Sequence, residues 1–537
     1  MAEAQPLPVR RVFDVAIVGA GLCGLALARL LTGRGLEVQV IEARERLGGR
    51  VYTEHCEFTG QALDLGPTWF WLDTEPRIAA LLTELGLASR PQHDPGDALW
   101  LTDPNREPDR RIEPGGLHVG ARRIEGGAAR LVDALAATLP SGSIRTGVAL
   151  QALRDRGAFI ELLPSTGHPI RARQVVLALP ARLVHEKIQF DPPLPTSVWE
   201  ALAATPTWMA ARAKSVTTFA QPFWRTAGHS GNAFVRHAQA VLGEVFDASE
   251  GKAGALGGFV ALNAAQRANF KRGLPLLIDS QLTQLFGPQT QDGHPFLQDW
   301  ATEPWSCSAL DRASPPEPPL SDPLLRQPLW AGRVFLGGSE TAAHGAGHME
   351  GALESADRIA HAVCRPNAKV RSAPAQDGIR DTRSTAIGTF AASVLALRGM
   401  APERYRLHLT RLLSGQQFEQ LTQRALLATA DQVYSEALAH LDHLLPALDA
   451  ASAEVASGRH ALTAVLLAPF EGWNKGLLDA ALSFNCTSCA LSSFPREHQP
   501  DAETLRAITL DLAAAWREFA LELNTRLLVA SGSAEIV

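Results

Sequence analysis

The chain has 537 residues, of which 46% are hydrophobic and 20% are charged, and this ordinary globular composition excludes a disordered or fibrous protein. Its length predicts about three or four folding units, and its net charge of −6, without a long basic run, argues against nucleic acid as a partner. Because no apolar run approaches the roughly 18 residues of a membrane span, and residues 1–11 lack the form of a signal peptide, we expect a cytoplasmic protein without a membrane span.

The first predicted elements form a β–α–β unit. A strand at 12–18 ends at Gly19, the apolar residues 25–31 predict a buried helix, and a second strand at 37–41 ends at Glu42. Two strands joined by a helix within about 30 residues are typical of a parallel sheet. The sequence therefore predicts an α/β domain at the start of the chain.

A glycine pattern fills the first turn of this unit. Gly19, Gly21 and Gly24 have the spacing of a dinucleotide fingerprint, in which the three glycines permit a tight turn, backbone approach to a pyrophosphate, and close packing of helix on strand. Glu42 can accept hydrogen bonds from ribose hydroxyls and would repel a 2′-phosphate, so NADP is disfavoured. The alternative is an ordinary βα turn, and these residues alone leave FAD and NAD open.

Two later strands extend the same pattern. Residues 175–179 form a buried strand, and residues 334–336 run into two glycines and then a small-residue helix at 351–362. The intervening stretches, roughly 90–120 and 186–320, are irregular and rich in Trp. We therefore predict a discontinuous nucleotide-binding domain and a second domain built from the intervening stretches.

The carboxy-terminal part of the chain has a different character. Residues 366–383 are polar and contain Pro and Gly, which predicts a linker. Beyond it, apolar residues recur at steps of three and four, as across 505–523, and Asp501 is a candidate N-cap. We predict an all-α helical domain at 384–537. It could cover a pocket, form a homodimer or bind a protein partner.

Cys486 and Cys489, within this predicted domain, have the spacing of a metal or redox pair. A single pair lacks the second pair of ligands that zinc needs, and no thioredoxin-like unit surrounds it. We interpret both residues as thiols of a helical bundle and predict no metal site.

Five stretches taken together resemble the flavin-dependent amine oxidase family, the group of monoamine and polyamine oxidases. They are residues 15–31, 41–51, 64–70, 175–183 and 333–360. The resemblance covers about residues 10–365 and implies an α/β fold with FAD as the cofactor. It does not extend to the predicted helical domain.

The resemblance implies a division of the chain into domains. A Rossmann-like FAD-binding domain would comprise residues 1–90, 121–185 and 325–365. An α+β substrate domain would comprise residues 91–120 and 186–324. The helical domain would be appended to these two.

The resemblance also assigns cofactor contacts beyond the glycine fingerprint and Glu42. The positions that match the family's motifs are Arg44, Gly49, Arg50, Gly66, Pro67, Thr68, Trp69, Val148, Glu340 and Met349. Ala309 stands where some members carry the cysteine that bonds covalently to FAD, and Cys307 lies two positions away. We therefore expect noncovalent FAD.

Two residues are expected to act on the substrate or the flavin. Lys214 matches the family's lysine that holds a water beside flavin N5 and assists reoxidation by O2; the alternative is a surface lysine. In the family, amine substrates pass between two aromatic side chains, whose places fall here to Leu310 and His348. We expect a pocket with Leu310, Trp300 and Trp305, in which His348 either faces the substrate or flavin or satisfies its own turn.

The resemblance implies a reaction. An FAD-dependent oxidase would take a hydride from a carbon next to nitrogen to give an imine, and O2 would reoxidise the flavin and yield H2O2. Because the expected aromatic pair is replaced, we predict a secondary, cyclic or otherwise unusual amine. The alternatives are a desaturase or dehydrogenase that acts on an apolar or amino-acid-like substrate with another electron acceptor, and a flavin-bound interaction module.

Overall fold

The computed structural model describes residues 11–112, 116–313, 322–364, 382–414, 419–448, 455–456, 459–487, 491, 494–498 and 500–531. These residues divide into two units, one within Met1–Asn367 and one within Ala368–Val537. Most of the predicted linker at 366–383 lies outside the described residues, and so does Cys489.

The first unit mixes sheets and helices, which confirms the predicted α/β class. Its strands are β1 (Val12–Val18), β2 (Val38–Ile41), β3 (Thr53–His55), β4 (Ala62–Asp64), β5 (Phe70–Trp71), β6 (Ser89–Pro91), β7 (Asp97–Leu101), β8 (Asp109–Arg111), β9 (Ala121–Ile124), β10 (Ile144–Arg145), β11 (Leu150–Asp155), β12 (Ile160–Pro164), β13 (Ile170–Ala178), β14 (Gln189–Asp191), β15 (Ala213–Phe219), β16 (His229–Val235), β17 (Leu242–Asp247), β18 (Gly254–Val260), β19 (His294–Asp299) and β20 (Val334–Gly337). Its helices are α1 (Leu22–Thr32), α2 (Pro76–Glu84), α3 (Ala129–Ala137), α4 (Ala181–Lys187), α5 (Thr196–Ala204), α6 (Phe223–Thr226), α7 (Ala264–Asn269), α8 (Leu274–Phe286), α9 (Ala309–Ala313) and α10 (Met349–Val363).

The first sheet has a parallel core. Its strand order is β10-β2-β1-β13-β12-β11-β14, and β20 pairs with the second half of β13. Strands β10, β2, β1, β13 and β20 run parallel. Val15 and Ile17 of β1 pack into one core with α1 and α10, whereas Ala16 and Val18 pack into another with α4 and α5. Because helices cover both faces, β1 is apolar at nearly every position.

The second sheet is mainly antiparallel. Its order is β19-β15-β18-β17-β16-β7-β8, and β16 with β7 is its one parallel pair. Ile278 and Leu282 of α8 pack into the core on one face of this sheet. The two sheets are built from alternating stretches of chain, because the second takes residues 97–111 and 213–299 from between strands of the first.

One predicted domain boundary needs correction. Residues 186–324 are predicted to belong to the substrate domain, but β14 pairs in parallel with β11 of the first sheet. Val198 and Leu202 of α5 are buried in the core of that same sheet. The start of this segment, through α5, therefore belongs with the first sheet, because the apolar face of α5 is buried there.

The second unit is mainly helical in its described part, as predicted, but it also contains a short antiparallel strand pair that the all-α prediction did not include. Its elements are α11 (Thr382–Ser414), α12 (Leu421–Leu448), β21 (Val455–Ala456), β22 (Arg459–His460), α13 (Leu462–Leu467), α14 (Trp473–Thr487), α15 (Pro495–His498) and α16 (Ala502–Ala530). None of the described helices combines the length and the apolar character that a bilayer crossing requires.

Helix α16 confirms the predicted periodicity. Ile508, Leu512, Phe519 and Leu523 are buried along one face, and the Asp501 side chain accepts a hydrogen bond from the backbone N–H of Thr504 at 2.8 Å. This contact is the predicted N-cap. Cys486 is exposed near the end of α14, and its interpretation as a bundle thiol stays a prediction.

Candidate active site

A cavity in the first unit brings together most of the predicted residues. It is lined by the turn after β1, the end of β2, the 66–69 turn, the start of β15 and the start of α10. The predicted residues that line it are Gly19, Gly21, Glu42, Arg44, Gly49, Arg50, Gly66, Pro67, Thr68, Trp69, Val148, Lys214, Trp300, Trp305, His348 and Met349. Three other predicted residues, Gly24, Glu340 and Leu310, do not line it.

The turn after β1 presents backbone to the cavity. Gly19 has a φ of +102°, which disfavours any side chain, and a Cβ at Gly24 would overlap the carbonyl oxygen of Gly19. Gly24 thus brings α1 against the turn without lining the cavity. Gly21 and Leu22 line the cavity at the amino-terminal end of α1. The positive end of a helix favours an anion, so this turn suits a pyrophosphate.

Glu42 marks another region of the cavity. It is buried at the end of β2, and its carboxylate accepts hydrogen bonds from the backbone N–H groups of Ala20 at 2.8 Å and Arg44 at 3.0 Å. The backbone N–H of Val148 donates to the carbonyl oxygen of Glu42 at 2.8 Å. Because two amides orient the carboxylate beside Val148, this region suits the ribose and base of an adenosine.

Arg50 and Glu340 form an ion pair beside the cavity. Two N–H groups of Arg50 donate to the two carboxylate oxygens of Glu340 at 2.6 and 2.9 Å. Glu340 is 1% exposed and is not among the residues that line the cavity, and its predicted contact with the cofactor stays a prediction. It holds the Arg50 guanidinium, and its charge offsets part of the positive charge that Arg50 presents to the cavity.

Lys214 lies on β15 with its side chain buried at 3% exposure. Its Nζ donates hydrogen bonds to the carbonyl oxygen of Gly66 at 2.9 Å and to Oγ1 of Thr68. The rings of Phe246 and Phe259 lie 5.4 and 5.6 Å from Nζ. Burial among these groups lowers the pKa of Lys214 to about 7. The structure therefore rejects the alternative of a surface lysine.

Contacts of Trp69 with neighbouring side chains also stabilise the 66–69 turn. The indole N–H of Trp69 donates to the side-chain oxygen of Gln92 at 2.8 Å, and the Trp69 ring lies 4.7 Å from the ring of His118. Nδ1 of the buried His118 lies 2.9 Å from an Asp94 carboxylate oxygen. Burial by itself would lower the pKa of His118, but the carboxylates of Asp94 and Glu244 raise it to about 9. A buried imidazolium thus packs against Trp69.

His348 has an aromatic partner that the sequence analysis did not identify. The rings of Trp208 and His348 are stacked, with centroids 6.2 Å apart and planes 25° apart, and both residues line the cavity. His348 occupies the N-cap position of α10, and its Nδ1 lies 3.9 Å from a carboxylate oxygen of Glu75. Trp208 is therefore the aromatic neighbour of His348 in the cavity.

Leu310 does not line the cavity and is 41% exposed. The cause is its neighbour Asp311, which is buried and accepts hydrogen bonds from Arg182 at 2.9 Å and from the backbone N–H of Thr207 at 3.0 Å. The hydroxyl of Ser308 also donates to Asp311 at 2.8 Å. These bonds fix the orientation of α9 with Asp311 inside, and the prediction of Leu310 as a pocket residue is wrong.

The two predicted tryptophans line the cavity. The indole N–H of Trp300 donates to the carbonyl oxygen of Leu65 at 3.0 Å, which attaches the end of β19 to the chain just before the 66–69 turn. Lys187 Nζ lies 5.4 Å from the Trp305 ring centroid. Cys307 is buried and does not line the cavity, and the prediction of noncovalent FAD stays a prediction.

Several residues that line the cavity were not predicted from the sequence. They are Trp208, Met209, Arg212 and Phe259. The first three precede β15 in one irregular segment, where Met209 has a φ of +60°. Their closeness to Lys214 in the sequence could have indicated that these three residues lie near the cavity. Which of their side chains face the cavity depends on the turn at Met209, and that turn has no simple sequence pattern.

Taken together, the glycine turn, the oriented Glu42 and the cavity that both share with Lys214 fit FAD. The family model described as flavin containing amine oxidoreductase matches residues 22–115 and 100–364. The chain is 24% identical to amine oxidase [flavin-containing] B of Sus scrofa over 463 residues, which cover 66% of this chain and 87% of that protein. The Cavia porcellus protein of the same name is 26% identical over 463 residues, with the same coverage of both chains.

Solved structures show the same fold for the matched part of the chain. A putrescine oxidase bound to putrescine has a TM-score of 0.54 at 22% identity, covering 66% of this chain and 99% of that one. Cyclohexylamine oxidase from Brevibacterium oxydans IH-35A has a TM-score of 0.55 at 20% identity, with the same coverage. Since the family model spans more than half of the 537 residues and most of the residues predicted to contact the cofactor line one cavity, this chain belongs to the flavin containing amine oxidoreductases and is an FAD-dependent enzyme.

Proposed function

We propose that this enzyme oxidises a C–N bond of an amine to the imine and transfers the two electrons to O2, which becomes H2O2. The position of Lys214 carries the proposal, because this buried amine lines the same cavity as the glycine turn and Glu42. The chemistry that FAD supplies when bound is acceptance of a hydride equivalent from the carbon next to nitrogen. We also propose that FAD is bound noncovalently, since Ala309 offers no thiol and Cys307 lies outside the cavity lining.

The residues around Lys214 orient the substrate and exclude water. Trp208 and His348 form a stacked aromatic wall, and Phe259 and Met209 add further apolar surface. An amine bound neutral against this wall needs little general-base chemistry, so orientation and desolvation are the main contributions of the protein. Because Trp208 supplies a second ring, primary amines are candidate substrates as well as the predicted secondary, cyclic or otherwise unusual ones.

Lys214 can hold one water molecule in either protonation state. Gly66 and Thr68 accept two of its N–H groups. The protonated side chain has a third N–H to donate, and the neutral side chain has a lone pair that accepts. With a pKa of about 7, the side chain carries its positive charge mainly below neutral pH. We propose that this charge assists reduction of O2.

Anaerobic mixing of the purified holoenzyme with a panel of amines and amino acids tests the proposal. We expect at least one compound to bleach the yellow absorption of oxidised flavin, and admission of air to restore it with release of one H2O2 per imine. Bleaching that only an added dye reverses would favour the dehydrogenase alternative. A yellow colour that persists with every compound would contradict amine oxidation and favour the interaction module.

A further inference from the structure

We propose that Arg212 binds a carboxylate of the substrate, so that the enzyme acts on an amine that also carries a carboxylate group. This inference rests on the proposed amine oxidation and names the substrate class of the same cavity. It comes from an arginine that the resemblance to the family did not assign.

Arg212 lies beside the residues expected to act on the substrate. It directly precedes β15, and its carbonyl oxygen accepts a hydrogen bond from the backbone N–H of Trp300 at 2.9 Å, which extends the pairing of β15 with β19. Residues two positions apart on an extended strand share a face. Arg212 and Lys214 accordingly both line the cavity, so an anion on Arg212 would lie within reach of an amine held near Lys214.

The other lysines and arginines that line the cavity are already engaged within the protein. They are Arg44 with Glu303, Arg50 with Glu340, Lys187 with Glu186, and Lys214 with Gly66 and Thr68. The guanidinium of Arg212 makes no hydrogen bond or ion pair with any residue in the part of the chain that the structure describes. Among the described lysines and arginines that line the cavity, Arg212 is therefore the one whose side-chain N–H groups remain available to a ligand.

The electrostatic setting of Arg212 favours an anion. The side chain is half-buried, and burial together with the positive charge of Arg267 lowers the pKa of Arg212. Arg267 itself is paired with Asp299 at 2.6 Å, so the Asp299 carboxylate already has a cationic partner. A partly buried charge without a counter-charge is costly, and a bound carboxylate would remove that cost.

The local backbone presents Arg212 and the aromatic wall together. Met209 has a φ of +60°, in the left-handed region that non-glycine residues rarely adopt, and the backbone N–H of Arg212 donates to the Met209 carbonyl oxygen at 3.0 Å. This turn places Trp208 and Arg212 in one cavity. A planar guanidinium can donate two parallel hydrogen bonds to a carboxylate, while Trp208 packs against an apolar substrate side chain.

A binding experiment that needs no turnover tests the inference first. The holoenzyme is titrated with benzoate, which cannot be oxidised as an amine, and with benzamide as the uncharged control, while the flavin absorption spectrum is followed. We expect benzoate to perturb the spectrum and Arg212→Met to weaken its binding about 10- to 100-fold, with Arg212→Lys intermediate. Benzamide should show no such dependence. Lys187→Met, which removes a paired cation from the same cavity, is the matched control and should leave benzoate affinity unchanged.

The flavin content of each variant separates a substrate role from a cofactor role. We expect Arg212→Met to retain a full complement of FAD. Loss of FAD from both Arg212 variants would assign the guanidinium to the cofactor and overturn the proposal. Equal binding of benzoate by the wild type and Arg212→Met would overturn it as well, whether or not any amine is oxidised.

Turnover of matched substrate pairs then tests the substrate class. Phenylalanine and tryptophan are compared with 2-phenylethylamine and tryptamine, which differ only by the carboxylate. We expect a higher kcat/KM for the carboxylate-bearing member of a pair, and Arg212→Met to reduce that preference at least 10-fold, mainly through KM. A wild-type preference for the decarboxylated amines would contradict this inference while leaving the proposed amine oxidation intact. Absence of flavin reduction by any amine would instead contradict the proposed function.

Discussion

Nζ of Lys214 lies 2.9 Å from the carbonyl oxygen of Gly66, and this hydrogen bond joins a strand of the second sheet to the turn that follows β4. The two residues are 148 positions apart in the chain. Their contact places Lys214, the candidate catalytic residue, in the cavity that is predicted to hold FAD.

Replacing Lys214 by Met should slow reoxidation of the flavin by O2 by roughly 100-fold, the scale of losing one preorganised electrostatic group. Reduction by substrate should change little, because the aromatic wall is untouched. Stopped-flow absorbance after mixing reduced enzyme with aerated buffer gives the rate directly. Unchanged reoxidation would remove Lys214 from this role, and a variant that lost its FAD would assign it a structural one.

Lys214 should also give the stability a specific pH dependence. Its pKa is about 7 in the folded enzyme and about 10.4 in the unfolded chain, so between these values the unfolded state binds the extra proton. The free energy of unfolding should therefore rise with pH over this interval, by up to about 1.4 kcal/mol per pH unit. Urea denaturation of the wild type and Lys214→Met at several pH values measures the difference, and an identical pH slope in both would contradict it.

His118 should give the opposite slope. Its pKa is about 9 in the folded enzyme and about 6.5 unfolded, so the stabilisation is complete below about 6.5 and is lost as pH rises through about 9. Over roughly pH 7–9 the contributions of His118 and Lys214 therefore oppose each other. We expect His118→Gln to steepen the rise of stability with pH in the same urea experiment. A flatter rise in His118→Gln than in the wild type would refute the buried imidazolium.

Trp208 and Leu310 form a matched pair for testing the pocket. Trp208→Ala removes one ring of the stacked wall and should lower kcat/KM about 10-fold or more, with FAD still bound. Leu310→Ala truncates an exposed side chain and should leave kcat/KM within about twofold. Steady-state H2O2 formation with one substrate compares both variants. The reverse ranking would restore Leu310 to the pocket.

Glu497 should stabilise the second unit. It is buried, and its carboxylate accepts hydrogen bonds from the backbone N–H groups of Leu421 at 2.9 Å and Thr422 at 2.8 Å, at the start of α12. Removing such a cap costs about 1–2 kcal/mol. Glu497→Ala should therefore lower the thermal midpoint of that unit in calorimetry, whereas replacing the exposed Glu503 by Ala should have a smaller effect.

The parts of the structure that depend on local chemistry were predictable from the sequence. The glycine spacing places α1 after β1, and the position of Glu42 follows from the end of β2, because both depend on a few adjacent residues. The periodicity of α16 and its cap at Asp501 follow from side chains within a few turns of one another.

The substrate side of the cavity was less predictable, because distant contacts decide it. Leu310 faces outward since its neighbour Asp311 is bound to Arg182, 129 residues earlier, and a motif comparison does not include that contact. Trp208 reaches His348 through a turn with an unusual backbone at Met209. That Arg212 has no partner among the described residues became apparent only once the partners of the other cations were known.

The interleaving of the two sheets affects how the gene can be divided. A single break anywhere between residues 42 and 333 would put β1 and β20, both partners of β13, on different fragments. We therefore expect amino-terminal and carboxy-terminal fragments of the first unit to be insoluble when each is expressed alone. Residues 368–537 form one uninterrupted stretch, and one cut suffices to produce them as a separate polypeptide.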